Sequence, residues 1–254
     1  MNKKKVIKTS ISIVILLSIW TIVTEMNLIN SYVLPSPFKV VDSFFKMIQS
    51  GEIFEDIYIS YIRVLKGFSI ATIFAFLFAM IRVILPKYSD YYESILQFLK
   101  NVPPLSLISL LILWFGIGET TKTGIIVLTS FFPIYLNTVK GFVSCDKKLL
   151  EVGQVYGYSK LNSFLKIRLP YAMSDILVGM RIGLGYSWRA IISAEMIAAS
   201  SGLGHMILFA QQMSRTDKVI VGILVIGVVG YITDRLFAVI IDKALKGLEK
   251  NGWD

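Results

Sequence analysis

The chain has 254 residues, 55% of them hydrophobic and only 17% charged, and a formal net charge of +9. Its mean hydropathy of +0.67 is too high for an ordinary soluble domain. The basic residues flank apolar segments instead of alternating with aromatics, which argues against a nucleic-acid-binding surface. Cys145 is the single cysteine, so no intrachain disulfide is possible, and the single histidine, His205, rules out multi-histidine metal sites.

The apolar residues come in long runs. Sixteen uncharged residues separate Lys8 from Glu25, fifteen separate Lys66 from Arg82, eighteen separate Lys100 from Glu119 and seventeen separate Lys122 from Lys140. A fifth run begins near Ile176 and is interrupted by Arg181, Arg189 and Glu195; a sixth extends from Val219 to about Ile241, with Asp234 and Arg235 near its end. A bilayer is crossed by about 20 residues of helix, and Lys or Arg at the ends of a shorter run can snorkel. The pattern predicts an all-α membrane protein with about six transmembrane helices, or five if the first run does not cross. Lys3, Lys4 and Lys5 precede that first run as in a signal peptide, but no small-x-small cleavage site follows, so it is expected to remain as a span.

Between the first two runs, Ser36 suits an N-cap and Pro37 the first helical position. Phe38, Val41, Phe44, Phe45 and Ile48 then recur at helical spacing up to Gly51, which predicts an amphipathic helix lying on the outer membrane surface. A second amphipathic stretch with Phe54, Ile57 and Tyr61 leads into the second span. Asn101-Val102-Pro103-Pro104 is read as opening the third span, because paired prolines are tolerated in a first turn. Phe115-Gly116-Ile117-Gly118-Glu119 joins the third and fourth spans as an antiparallel hairpin. Pro133 is expected to kink the fourth.

The segment 146–170 lies between the fourth and fifth spans. Asp146 can cap a helix to about Tyr156, with Leu149, Leu150, Val152, Val155 and Tyr156 largely on one face. Gly157 is placed to end that helix in a left-handed conformation. Ser159 can cap a second helix carrying Leu161, Phe164 and Leu165, and Pro170 is expected to stop its regular continuation. The result is a helix–turn–helix with an apolar stripe, suited to a groove on another protein or to packing on its own bundle.

Six spans place both termini on one side. The N-terminal tail, the second and fourth loops and the C-terminal tail then carry 16 Lys/Arg, against 7 for the other loops and flanks and 3 within spans. The positive-inside rule therefore places both termini and the 146–170 segment in the cytoplasm of a multi-pass cell-membrane protein surrounded by lipid. No repeat, low-complexity tract or soluble domain interrupts the chain, so 1–254 is read as one membrane domain with its core at about 55–245.

No G-x-x-x-x-G-K-[ST] phosphate loop is present, nor any cluster suited to a metal or a nucleophile, so catalysis and a resident cofactor are not expected. Charges within a span cost roughly 2.5–3.5 kcal/mol each on insertion scales, which makes Arg181, Arg189 and Glu195 informative. Arg181 and Arg189 are two turns apart, near one face. Arg189, beside Trp188, is a candidate for lining an anion path, and Glu195 for anchoring the bundle near its outer end; alternatively all three form structural ion pairs or snorkel. Asp234 and Arg235 are read as structural. Gly179, Gly183 and Gly185 allow close helix approach, either within the bundle or at a dimer seam.

The 146–170 segment resembles the coupling loop of ABC importer permeases, which runs E-A-A, three residues, G, nine residues, I-x-L-P. Glu151, Gly157, Ile167, Leu169 and Pro170 fall in register, while Val152 and Gly153 replace the usual Ala-Ala. Over roughly residues 33–240 the chain is similar to the nitrate/sulfonate/taurine branch of these permeases. Leu34-Pro35-Ser36-Pro37, Arg63 through Phe68, Trp114 through Glu119, Phe131 through Ile134 with Asn137-Thr138, Gly179-Met180-Arg181, Trp188-Arg189, Ala194-Glu195-Met196 and Gly202-Leu203-Gly204 carry the likeness.

The resemblance implies a type I importer bundle acting as a homodimer, two cytoplasmic ATPase subunits that bind the ATP, and an extracytoplasmic solute-binding protein. Glu151, Val152, Gly153, Gly157, Ile167, Leu169 and Pro170 would couple to the ATPase. Asn137, Arg181, Trp188, Arg189 and Glu195 would belong to the path or the bundle. The implied solute is a small anion such as an aliphatic sulfonate, taurine, nitrate or bicarbonate. Related permeases carry thiamine-precursor pyrimidines or riboflavin, and a membrane-embedded enzyme or a non-transporting scaffold are more distant alternatives.

Overall fold

The computed structural model describes residues 3–250; residues 1–2 and 251–254, at the two termini expected on the cytoplasmic side, lie outside the described residues. Those described form helices α1 (Lys3–Glu25), α2 (Pro37–Gln49), α3 (Glu52–Ile84), α4 (Pro86–Leu99), α5 (Pro104–Phe115), α6 (Glu119–Val143), α7 (Lys147–Val155), α8 (Lys160–Ser163), α9 (Leu169–Ala198), α10 (Leu203–Gln212) and α11 (Thr216–Lys250), with no strand among them. By length and composition α3, α6 and α11 are long and apolar enough to cross a membrane. Two bent pairs bring the number to five if each is one span: α4 with α5, bent by 106°, and the Lys160–Ala198 stretch with α10, bent by 45°. The first expected run continues as the apolar helix Ser10–Glu25.

The expected third span is therefore not one straight helix. Its continuous helix is only the 12 residues of α5, because Pro103 and Pro104 mark a break that follows α4 and do not simply open a span. Likewise the second amphipathic stretch is continuous with its span, giving the 33 residues of α3. α6 is one continuous helix that contains Pro133.

The core is built on α6. Its antiparallel partner is α9, and the register can be read from small residues. A Cβ on Gly141 would meet Asp175 and Ala172, one on Gly179 would meet Asn137 Cβ at 2.7 Å, and one on Gly183 would meet Ile134. Farther along, Ser130 and Ser187 hydroxyls pair at 2.6 Å. Gly179 and Gly183 thus serve the interior of the bundle and not a seam between copies, whereas Gly185 faces open space. On the other side α3 runs parallel to α6, with Gly67 against Ile126 and Phe76 edge-on to Phe142.

Ser36 caps α2 as expected, accepting from the Lys39 N–H, with Pro37 at the start. Its inward residues are Val40, Ser43 and Met47, so most of the apolar set expected at helical spacing faces outward: Phe38, Val41, Phe44 and Phe45 are exposed. Ser43 donates to Asp217 at the start of α11, and Trp20 Nε1 donates to the Pro35 carbonyl at 3.0 Å, tying α1 to the α2 entry.

Candidate functional site

Two regions bring the expected residues together: the 146–170 loop at one end of the bundle, and a polar cluster at the other.

In the loop, Asp146 caps α7 by accepting from Lys148 N–H at 2.9 Å. Gly157 adopts φ +73°, and the chain turns there, with Tyr158 N–H bonding the Gly153 carbonyl at 2.9 Å. Ser159 caps α8 by accepting from Asn162 N–H at 3.3 Å. Residues Phe164–Arg168 then form one turn of π-helix, closed by the Leu169 N–H to the Phe164 carbonyl. Contrary to expectation, Pro170 does not stop the helix. It sits in the first turn of α9, where its missing N–H costs least, and the wide turn before it absorbs the mismatch.

Gly153 packs against Ile167, whose Cδ1 lies 2.5 Å from where a Cβ would be. The substitution of Gly for the usual Ala is thus compatible with close contact between the two arms of the loop. The outer face is apolar and unpartnered: Val152, Leu161 and Leu165 are exposed, with Val155 at 87% and Tyr156 at 77% exposure. Patches of this kind on an otherwise charged element mark contact surfaces. Cys145, at the entry, is buried, and burial pushes its thiol pKa up, in keeping with an inert thiol.

At the opposite end, Glu195 is fully buried. Both its oxygens accept from Ser60 Oγ at 2.8 Å, Arg63 Nη1 donates at 2.8 Å and Gly204 N–H at 3.0 Å. Arg63 also donates from Nη2 to Glu119 at 2.7 Å and from Nη1 to the Ser201 carbonyl at 2.8 Å. Lys122 reaches the same Glu119 at 2.7 Å. The network joins α3, the start of α6, the end of α9 and the α9–α10 bend. The sequence reading missed Arg63 as the partner of Glu195, although an arginine in an apolar helix was the available signal.

The other expected residues divide between interior and surface. Arg181 makes a bidentate pair with Asp234, both bonds at 2.7 Å. Asn137 Nδ2 donates to the Pro133 carbonyl at 2.8 Å on the α6 face that receives Gly179. Trp188 is buried and packs on Tyr61, with ring centroids 6.0 Å apart; it does not stand beside Arg189 at a cavity edge. Arg189 is exposed, with its guanidinium 5.6 Å from the Tyr186 ring centroid. Two carboxylates of the same helix are engaged elsewhere, Glu195 by Arg63 and Asp175 by Lys140 at 2.9 Å.

Arg189 and Tyr186 share an exposed face of α9 with Ile182 and Gly185. Ile182 and Tyr186 also line a recess of about 370 Å³ that reaches the α4–α5 break at Asn101 and the α6 positions Thr129 and Pro133.

Residues 57–246 match the family of binding-protein-dependent transport system inner membrane components. The chain belongs to that family. This permease is 36% identical over 232 residues to the aliphatic sulfonates transport permease protein SsuC of Bacillus subtilis strain 168, covering 91% of this chain and 84% of that one. It is 30% identical over 244 residues to the nitrate import permease protein NrtB of a Synechocystis species, covering 92% and 87%. The structure of an amino acid ABC transporter matches the permease fold with a TM-score of 0.64 at 12% identity, over 80% of this chain and 97% of that one. The type I importer bundle and the sulfonate/nitrate branch expected from sequence are thereby borne out. Its relatives are transport permeases, not enzymes.

Proposed function

We propose that this permease forms the translocation path of an ATP-driven importer for a small oxyanion of the sulfonate, taurine, nitrate or bicarbonate kind. Two copies enclose the path between them, two cytoplasmic ATPase subunits bind the ATP, and an extracytoplasmic binding protein delivers the solute. The permease itself requires no cofactor. It crosses the cell membrane several times and keeps both termini and the 146–170 loop in the cytoplasm. The coupling loop carries this reading: a capped, glycine-turned element that offers Val155 and Tyr156 outward is shaped for a groove on a partner. ATP binding closes the ATPases, the docked loop transmits that movement to α6 and α9, and the solute leaves inward on reopening. The cycle is driven because ATP and solute each bind the two states with different affinity. The names of the relatives favour an anion over a pyrimidine or riboflavin.

Between the two copies the exposed α9 face is the candidate seam, since Gly185 is open to an approaching partner. Proteoliposomes containing the permease, its ATPase and its binding protein should accumulate labelled taurine, an alkanesulfonate or nitrate in an ATP-dependent way. Uptake of a pyrimidine with none of these anions would overturn the anion reading. Gly185→Cys in a Cys145→Ser background should crosslink between copies, and a single copy of the permease per two ATPases would refute the homodimer.

A further inference from the structure

A separate recess of about 540 Å³ lies beneath the coupling loop, between its inner side and the end of α3. Its lining carries Lys160 and Arg168, with the polar groups of Gln154, Tyr158 and Ser163, and no carboxylate. Arg168 Nε is buried and has no hydrogen-bond partner. A third cation stands close by, the Lys166 ammonium 5.1 Å from the centroid of the Tyr158 ring.

The nearby carboxylates are otherwise placed. Glu93 pairs with Arg82, Asp146 caps α7, and Asp90 and Glu151 are exposed and outside the lining. Arg168 is half-buried as a whole, but its Nε–H is buried without a partner, and an unmade buried hydrogen bond is costly. Two cations lining one recess with no carboxylate in its wall favour an anion supplied from outside the chain.

We propose that this recess binds a tetrahedral oxyanion, held by Lys160 and Arg168 with the Ser163 hydroxyl and the Gln154 amide as further donors. The guanidinium offers the paired N–H geometry that suits phosphate and sulfate oxygens. The same chemistry has two sources. One is a free oxyanion in the cytoplasm. The other is the phosphodiester of an anionic lipid, because Ile84 and Pro86 in the wall stand where α3 reaches its inner end and anionic headgroups gather there. Bound anion bridges the α8 start to the α9 start across the wall of α3, and so holds the coupling loop in place. The site lies apart from the exposed α9 face and does not depend on which solute is carried.

The test uses the full chain in nanodiscs of phosphatidylcholine, with labelled sulfate as the probe at constant ionic strength. Sulfate should bind saturably, and Lys160→Gln and Arg168→Gln should each weaken it about tenfold. Arg168→Lys should retain most of the binding, which distinguishes loss of charge from loss of fold. Lys87→Gln, a neighbouring lysine outside the recess, should leave it unchanged. In discs containing phosphatidylglycerol, persistence of sulfate binding identifies a free oxyanion. Displacement of sulfate, with phosphatidylglycerol retained by the unmodified chain and lost from Lys160→Gln, identifies a lipid headgroup. The proposal is overturned if sulfate and phosphatidylglycerol both fail to bind, or if their binding is indifferent to Lys160→Gln and Arg168→Gln.

Discussion

Gly153 and Ile167 touch across the coupling loop, with Ile167 Cδ1 2.5 Å from the place a Gly153 Cβ would take. Two positions of the family pattern, fourteen apart in sequence, thus form a single joint between α7 and the turn leading into α9. In the coupling role proposed above, this joint would let the two arms of the loop move together. The atom in the way is the tip of a flexible side chain, so the contact tolerates one methyl and no more. Gly153→Ala should fold and couple, since Ile167 can rotate aside and a helical alanine gains roughly 1 kcal/mol over glycine. Gly153→Leu should force the arms apart and abolish solute-stimulated ATP hydrolysis while the protein still inserts. Equal coupling in both variants would show that the joint does not matter.

Gly157 presents the opposite case. Nothing lies within 4 Å of a Cβ built there, yet its φ is +73°. The cost of a side chain is therefore in the backbone and not in packing. Gly157→Val should lose about 1–2 kcal/mol and disturb the angle between α7 and α8, whereas Gly157→Asn, which tolerates the left-handed region, should be milder. Solute-stimulated ATPase activity ranks the three proteins. Normal stimulation in Gly157→Val would sink the view that this turn sets the docking geometry.

The Arg63–Glu195 network should be the most sensitive point of the bundle. Glu195→Ala leaves a nearly buried guanidinium short of one partner and the Gly204 N–H without any. Removing one member of a buried pair typically costs about 3–5 kcal/mol. The expected result is a large drop in thermal midpoint, followed by size-exclusion of detergent-solubilised protein. Ser60→Ala should do less, because Arg63 and Gly204 still hold the carboxylate. A Glu195→Ala protein as stable as the unmodified one would mean that the network is not structural.

Much of this was legible in the sequence because apolar runs, caps and glycine turns are local signals. Ser36 before α2, Asp146 before α7, Ser159 before α8 and Gly157 between them all act as their residue types require. What was not legible depends on contacts distant in the chain. Arg63 meets Glu195 across 132 positions, and no spacing rule links them. Gly179 and Gly183 read equally well as a dimer seam or a bundle contact, and only the position of α6 decides between these. Pro103 and Pro104 do open α5, as their residue type requires, but nothing local shows that α4 before them is bent from it by 106°. Nor does periodicity distinguish lipid from protein on the other side of an apolar face such as that of Phe38, Val41, Phe44 and Phe45.

Arg189 provides the last test, and the structure simplifies it. Its guanidinium lies over Tyr186 on an exposed face, while Glu195 and Asp175 are committed to Arg63 and Lys140. Removing the Arg189 charge therefore strands no carboxylate, and Arg189→Gln should assemble normally. If the path carries an anion, loss of the charge should reduce uptake roughly tenfold, equivalent to about 1.4 kcal/mol on the limiting step. Solute affinity of the separate binding protein should not change, and Arg189→Lys should recover part of the flux. Combining Arg189→Gln with Glu195→Gln should compound the defects, because the two residues belong to different clusters and distant effects add. Restoration of uptake in the double variant would mean that the two do pair during the cycle. Full uptake by Arg189→Gln alone would remove this arginine from the anion path.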